Sequence, residues 1–155
     1  MRRIVLPALL ILAVVALPRF VGAADASGID PCRLVTNQEA AVFFGAAVAA
    51  SAPSSPRPHK GDTPVRMCSF QSVNGKIFTV AVGAKTKEGW DREKKGQKPI
   101  AGLGDEAYEH APVTVVAWKR DVEVAIMGMD MTGGADAARM EKMKALARAA
   151  ASRLP

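Results

Sequence analysis

Two β-rich runs, Met67 to Val73 and Lys76 to Ala84, meet at Asn74-Gly75, and this junction constrains the fold more than any other stretch of the chain. Both turn residues tolerate positive φ, so the dipeptide predicts a tight type I′ turn and an antiparallel hairpin. In the second run Phe78, Val80 and Val82 alternate with Ile77, Thr79 and Ala81, and the first set is the better core face. A second hairpin is expected from Val113 to Lys119 and Val122 to Met129, joined around Arg120-Asp121. The fold class that follows is α+β: an antiparallel sheet of four or more strands, with helices packed over one face.

Thr36-Asn37-Gln38-Glu39 fits a capping box, in which the threonine oxygen takes a free backbone N–H and the glutamate reaches back to the cap. A short N-terminal helix is predicted from Asn37 to Phe44, with Gly45 placed to end it in a left-handed conformation. Lys87 to Lys95 is charged and helical in character, with Trp90 as its anchor to the sheet. After Gly133-Gly134, Asp136 is placed to cap a long final helix to about Arg153. On that helix Met140, Met143, Ala147, Ala150 and Leu154 recur at three- and four-residue steps as one apolar face. Residues 46–64 are rich in Ala, Ser and Pro and lack the large apolar groups that offset ordering entropy, so a flexible loop is expected there.

Residues 1–26 read as a secretory signal peptide: Met1-Arg2-Arg3, an apolar run from Ile4 to Leu17, then Ala24-Asp25-Ala26. Cleavage after Ala23 and cleavage after Ala26 both fit the small-residue pattern. The run is about 14 residues where a spanning helix needs roughly 20, so no stable membrane anchor is expected after cleavage. Residues 27–155 then form a single domain, periplasmic or secreted. The net charge of the full chain is +6, of which Arg2, Arg3 and Arg19 against Asp25 leave +4 after cleavage. Lysines and arginines are scattered and no aromatic residues interleave them, which argues against a nucleic-acid partner.

Cys32 and Cys68 form an even pair, and an oxidising compartment makes such a pair a disulfide candidate, with two unpaired buried thiols as the alternative. Closing a loop of about 37 residues would stabilise the fold by roughly 4 kcal/mol on the chain-entropy model.

The most distinctive motif is Pro99-Ile100-Ala101-Gly102-Leu103-Gly104-Asp105-Glu106-Ala107-Tyr108. Without a third glycine in dinucleotide register or a strong helix behind it, it reads as a tight turn feeding a strand near Ala107. Asp105 and Glu106 are adjacent and would point to opposite sides of a strand, unlike two carboxylates converging on a substrate. His59 and His110 lack partners at metal or triad spacing, and no G-x-S-x-G or H-E-x-x-H occurs, so no catalytic residue, enzyme or cofactor is assigned and a hydrolase is disfavoured. Met127, Met129 and Met131 at period two would place three thioethers on one face of a strand, a soft-ligand set for Cu(I) or Ag(I). Packing of Ala125, Met127 and Met129 beneath the last helix is the simpler expectation.

Asp30-Pro31-Cys32-Arg33-Leu34-Val35-Thr36 before a short helix ending at Gly45 resembles the opening of small exported domains of unknown function, many of them actinobacterial lipoproteins. Cys68-Ser69-Phe70, the Gly102-Leu103-Gly104-Asp105-Glu106-Ala107-Tyr108 segment and a terminal helix with Leu146 to Leu154 are similar to later parts of the same pattern. The resemblance implies a disulfide joining Cys32 to Cys68 and a compact antiparallel sheet with flanking helices, PsbP-like in arrangement. It brings no reaction. The chain departs from it in lacking a lipid-acceptor cysteine. The expected function is a non-catalytic binding or protein-interaction module of the cell envelope, for an envelope protein or a small ligand. Its contact surface is the open sheet face or the glycine loop, with Gly102, Gly104, Asp105, Glu106, Tyr108 and Trp118 as the candidate residues.

Overall fold

Seven strands, β1 (Val48–Arg57), β2 (Val65–Ser72), β3 (Ile77–Ala84), β4 (Lys98–Pro99), β5 (Glu106–His110), β6 (Thr114–Lys119) and β7 (Val122–Gly128), form one antiparallel sheet in the order β1-β2-β3-β7-β6-β5-β4. Three α-helices accompany it among the described residues: α1 (Asn37–Phe44), α2 (Lys87–Glu93) and α3 (Ala137–Ser152). The structure is a computed structural model that describes residues 26–57, 64–110, 113–128 and 137–155. None of its helices among the described residues is long and apolar enough to cross a membrane.

The local signals at α1 act as expected. Thr36 accepts from the Glu39 N–H, the Glu39 carboxylate accepts from the Thr36 N–H at 2.8 Å, and Gly45 closes the helix at φ +67°. Cys32 and Cys68 are joined in a disulfide, which ties a short 3-10 turn at Pro31–Arg33 to β2. The expected cap at Asp136 lies outside the described residues.

The second hairpin joins its strands at Arg120-Asp121 as expected, whereas the first turn differs from expectation. Asn74-Gly75 does not form a two-residue turn: the loop has three residues, closed by the Ser72 N–H on the Lys76 carbonyl at 2.9 Å, and only Gly75 is left-handed, at φ +78°. A three-residue loop needs one left-handed residue, and the glycine supplies it. The mirror-image geometry appears instead at Arg120-Asp121, both at positive φ (48° and 65°) although neither is glycine. Such residues carry a steric penalty that the surroundings must hold in place. Here the Asp105 carboxylate accepts from the Arg120 N–H at 2.9 Å, and the Lys85 N–H donates to the Asp121 carbonyl at 2.8 Å.

Much of the segment expected as a loop at 46–64 is β1, an edge strand paired with β2 in the register Ser51↔Phe70 and Pro53↔Cys68. An edge strand needs hydrogen bonds on one side only, so Pro53 is tolerated, and Ala49, Ala50, Ser51 and Ala52 remain exposed. Residues 58–63, including His59, lie outside the described residues.

Alternate residues on each strand point to opposite faces. On one face Phe78, Val80, Val82, Val115, Ala117, Val124 and Ile126 meet α1 and α3 in the main core, as the alternation in β3 predicts. Met143, Leu146, Ala147 and Ala150 supply the α3 side of it. Helices do not all lie on that face, however. The seven-residue α2 packs across the other one, where its Trp90 is fully buried against Ala81, Tyr108, Val116 and Ala125.

Candidate functional site

The glycine motif contributes to both faces of the sheet. Gly102 (φ +67°) and Gly104 (φ +61°) turn the chain between β4 and β5. A Cβ on Gly104 would sit 2.7 Å from the Trp118 carbonyl oxygen, and the next residue's N–H donates to that same oxygen at 2.9 Å. Leu103 between them is buried in the main core. Asp105 and Glu106 diverge as expected of neighbours on a strand. Asp105 secures the strained Arg120-Asp121 turn, and Glu106 faces α2.

Glu106 accepts from Trp90 Nε1 at 2.8 Å and from Lys94, with Lys87 at 3.0 Å. The Lys94 ammonium, then the indole and Lys87, hold its carboxyl down to about 2. Tyr108 is buried 4.9 Å from the Trp90 ring, and that burial pushes its phenol up. Trp118 is half-buried, stacks on Trp90 at 6.0 Å and donates from Nε1 to the Lys85 carbonyl at 3.0 Å. The structure therefore gathers Glu106, Tyr108 and Trp118 around Trp90, and it ties Gly104 and Asp105 to the backbone around the β6–β7 turn. All of these groups have partners inside the fold.

A shallow cleft of about 290 Å³ lies behind the glycine turn, lined by Gly102, Gly104, Asp105, Lys119, Arg148 and Ser152 among others. Lys119 is engaged there: its ammonium donates to the Leu154 carbonyl at 2.7 Å, a charge placement that suits a helix C-terminus. His110 is exposed at the end of β5. Ala125 and Met127 lie on the α2 face, in and against the second cluster and turned away from α3, so the expected packing beneath the last helix does not occur at these residues. Met129 and Met131 lie outside the described residues.

A different site emerges between α1 and α3. Gln38, Glu39, Val42 and Phe43 form one wall and Lys142, Ala145, Leu146 and Ala149 the other, around a groove of about 390 Å³. At i, i+3 and i+4 spacings each set is one helix stripe. The groove opens because Ala145 and Ala149 present only methyl groups to α1, and because α1 is only eight residues long, roughly 12 Å at 1.5 Å per residue. Its apolar wall reaches water: Val42 is 69% exposed, while Phe43 packs edge-on to Phe78 at 5.1 Å.

One end of the groove is held by Arg153, whose guanidinium binds both Glu39 oxygens at 2.8 and 2.9 Å and the Leu34 carbonyl at 2.7 Å. That pairing, with the Thr36 bonds, draws the Glu39 carboxyl down to about 2. Lys142 at the rim has no ion pair among the described residues. Apart from Glu39 in the capping box, no motif marks these residues in the sequence. The available signal was α1 itself, which carries Ala40, Ala41, Val42, Phe43 and Phe44 in succession and so is apolar on more than the buried face.

Fold and site together define a disulfide-pinned α+β domain with a two-faced antiparallel sheet and an open apolar groove between two helices. Comparison with protein-family models, curated proteins and solved structures gives no match to the chain.

Proposed function

We propose that the protein is a non-catalytic binding module exported to the cell envelope, periplasmic or secreted, and that its contact site is the α1–α3 groove. The observation that carries this reading is an apolar wall left open to water at Val42 and Phe43, in a groove of the size that takes small ligands. Its rim specifies the ligand further. Glu39 is neutralised by Arg153, whereas Lys142 leaves a positive charge at the mouth. A molecule with a narrow apolar chain and an acidic head complements both parts. The Cys32–Cys68 bond suits an oxidising compartment and supports export. So does the resemblance of the cysteine and glycine motifs to small exported domains.

Dansyl-labelled undecanoate tests the site directly by fluorescence titration. Saturable binding at one site per chain is expected. Val42→Asp weakens it by roughly tenfold, the effect of about 1.4 kcal/mol of lost apolar contact. Lys142→Glu weakens it by a smaller factor. Because Val42 is exposed, the melting temperature of Val42→Asp stays near that of the parent. Absence of saturable binding, or equal affinity in Val42→Asp, overturns the reading.

A further inference from the structure

Glu106, Tyr108 and Trp118 lie under α2, but the strands place them. Glu106 stands opposite Trp118, Tyr108 opposite Val116, and Val116 opposite Ala125, which faces Ala81. These six residues make a socket on the sheet, with the two rings as walls and the Glu106 carboxylate at the rim. The chain fills that socket with its own α2. The Trp90 ring enters it 4.9 Å from Tyr108 and 6.0 Å from Trp118, and its indole N–H donates to Glu106 at 2.8 Å. Lys87 lies 5.6 Å over the Trp118 ring and 3.0 Å from Glu106, and Lys94 binds the same carboxylate. Of the α2 side chains only Trp90 is buried, while Glu88, Asp91, Arg92 and Glu93 are exposed. A seven-residue helix with Gly89 inside it is not stable on its own, so one ring and a few charge-assisted bonds at the water's edge hold it down.

The connections leave α2 room to lift. From β3 to β4 the chain crosses four strand spacings and moves about four residues along the strands, a diagonal of roughly 24 Å. The fourteen steps from Ala84 to Lys98 reach roughly 46 Å when extended. Both ends are seated on the sheet independently of the helix. Lys85 is pinned at the β6–β7 turn, where its N–H donates to the Asp121 carbonyl and its own carbonyl accepts from the Trp118 indole. Lys98 is paired with Glu109 on β5. The helix between them can therefore leave while the strands on either side stay in register.

We propose that α2 is a displaceable strap, and that the socket beneath it receives a partner segment carrying an indole with lysines on either side, the chemistry that Lys87, Trp90 and Lys94 supply from within the chain. The proposal is independent of what the α1–α3 groove takes. Lifting α2 withdraws both lysines and leaves the Glu106 carboxylate beside two aromatic faces, a setting that attracts an organic cation through the rings and the charge together. The floor of Ala81, Val116 and Ala125 is narrow and apolar, and an indole fills it as Trp90 does. A partner segment competes with a tethered α2, so its apparent affinity falls by the fraction of molecules in which the strap is open.

Two measurements test this. In the parent protein, hydrogen exchange in sub-denaturing urea reads the release itself. The Trp90 and Lys94 amides, bonded to the Thr86 and Trp90 carbonyls, should exchange roughly tenfold or more faster than amides of β3 and β6, and with a smaller urea dependence. A single rate and a single urea dependence for both sets overturn the strap. The second measurement titrates a fluorescein-labelled peptide of residues 85–97 by anisotropy into the parent and into Trp90→Ala, where the strap has lost its anchor. Saturable one-to-one binding to Trp90→Ala is expected, roughly tenfold or more tighter than to the parent. The same peptide carrying Trp90→Ala should not bind, and Glu106→Gln added to the receptor should weaken binding by about tenfold. No saturable binding to Trp90→Ala, or equal affinity for the peptide without its indole, overturns the assigned chemistry. Loss of the fold in Trp90→Ala, read by circular dichroism, overturns the proposal as well, because a strap is dispensable to the sheet beneath it.

Discussion

The two faces of the sheet are held by different physics. Under α1 and α3 the sheet buries a continuous core in which Phe43, Phe44, Phe70 and Phe78 pack ring against ring and the disulfide clips the N-terminal segment to β2. Under α2 the rings of Trp90, Tyr108 and Trp118 fill the space, and polar bonds do much of the holding: the Trp90 indole to Glu106, the Trp118 indole to the Lys85 carbonyl, Glu106 to Lys94 and Lys87. Apolar burial is non-directional and indifferent to pH, whereas charge-assisted bonds are directional and titrate. The first face should therefore tolerate changes of chemistry that keep volume. The second should respond to single polar atoms.

The largest expected effect comes from emptying each face in turn. Phe78→Ala removes a fully buried ring from the centre of the aromatic cluster and should cost about 3–5 kcal/mol in urea unfolding. Trp90→Ala should cost about 3 kcal/mol, at the lower end of that range, because a seven-residue helix can detach without opening the main core. Hydrogen exchange separates the two. In Trp90→Ala, amides of 87–93 should lose protection while those of β3 and α3 retain it. Equal loss of protection across α2, β3 and α3 would show one cooperative unit and dissolve the distinction between the faces.

A smaller effect is expected at the glycine turn. Gly104→Ala combines a left-handed backbone with a Cβ placed 2.7 Å from a backbone oxygen that cannot move away freely, and about 2–3 kcal/mol should be lost. Gly102→Ala has the same backbone region but open space around its Cβ, so about 1 kcal/mol is expected. The difference between the two variants isolates the close approach to Trp118. Equal costs would mean that the approach is immaterial and that the motif is held by conformation alone.

What was legible in the chain follows the range of the interactions involved. Thr36, Glu39 and Gly45 act on neighbours within a few residues, and α1 appears with the expected bounds. The alternation in β3 needs only a period of two, and its buried face is the expected one. β1 was illegible because its composition carries no pattern; pairing with β2 makes it a strand. The mirror-image turn fell on Arg120-Asp121 rather than Asn74-Gly75, since Asp105 and Lys85 hold it from 15 and 36 residues away on other parts of the chain, as the numbering records. The groove depends on α1 meeting α3, whose closing contact spans 114 residues from Glu39 to Arg153. No local signal encodes such a meeting. Gly104, Asp105 and Glu106 stand out in the sequence, and each is closely packed or bonded within the fold.

The smallest effect concerns acid. Glu106 titrates near 4.5 in the unfolded chain and is held to about 2 in the fold, so the unfolded chain takes up the proton first as the pH falls. The stability it contributes is complete above about 4.5 and is lost progressively as the pH drops from there towards 2. Glu39 on the other face follows the same window through Arg153, so a bulk stability curve would mix the two. Fluorescence does not. The chain has two tryptophans, Trp90 and Trp118, and both belong to the α2 face. Tryptophan emission at graded pH and fixed urea should therefore report the Glu106 anchor selectively. Glu106→Gln keeps an acceptor for the indole but removes the charge, and it should flatten the acid response of the emission between 4.5 and 2. Glu39→Gln should leave that response in place while lowering overall acid stability measured by circular dichroism. If both variants flatten the fluorescence equally, the two faces share one electrostatic fate, and the division between a volume-held face and a bond-held face fails at its most sensitive point.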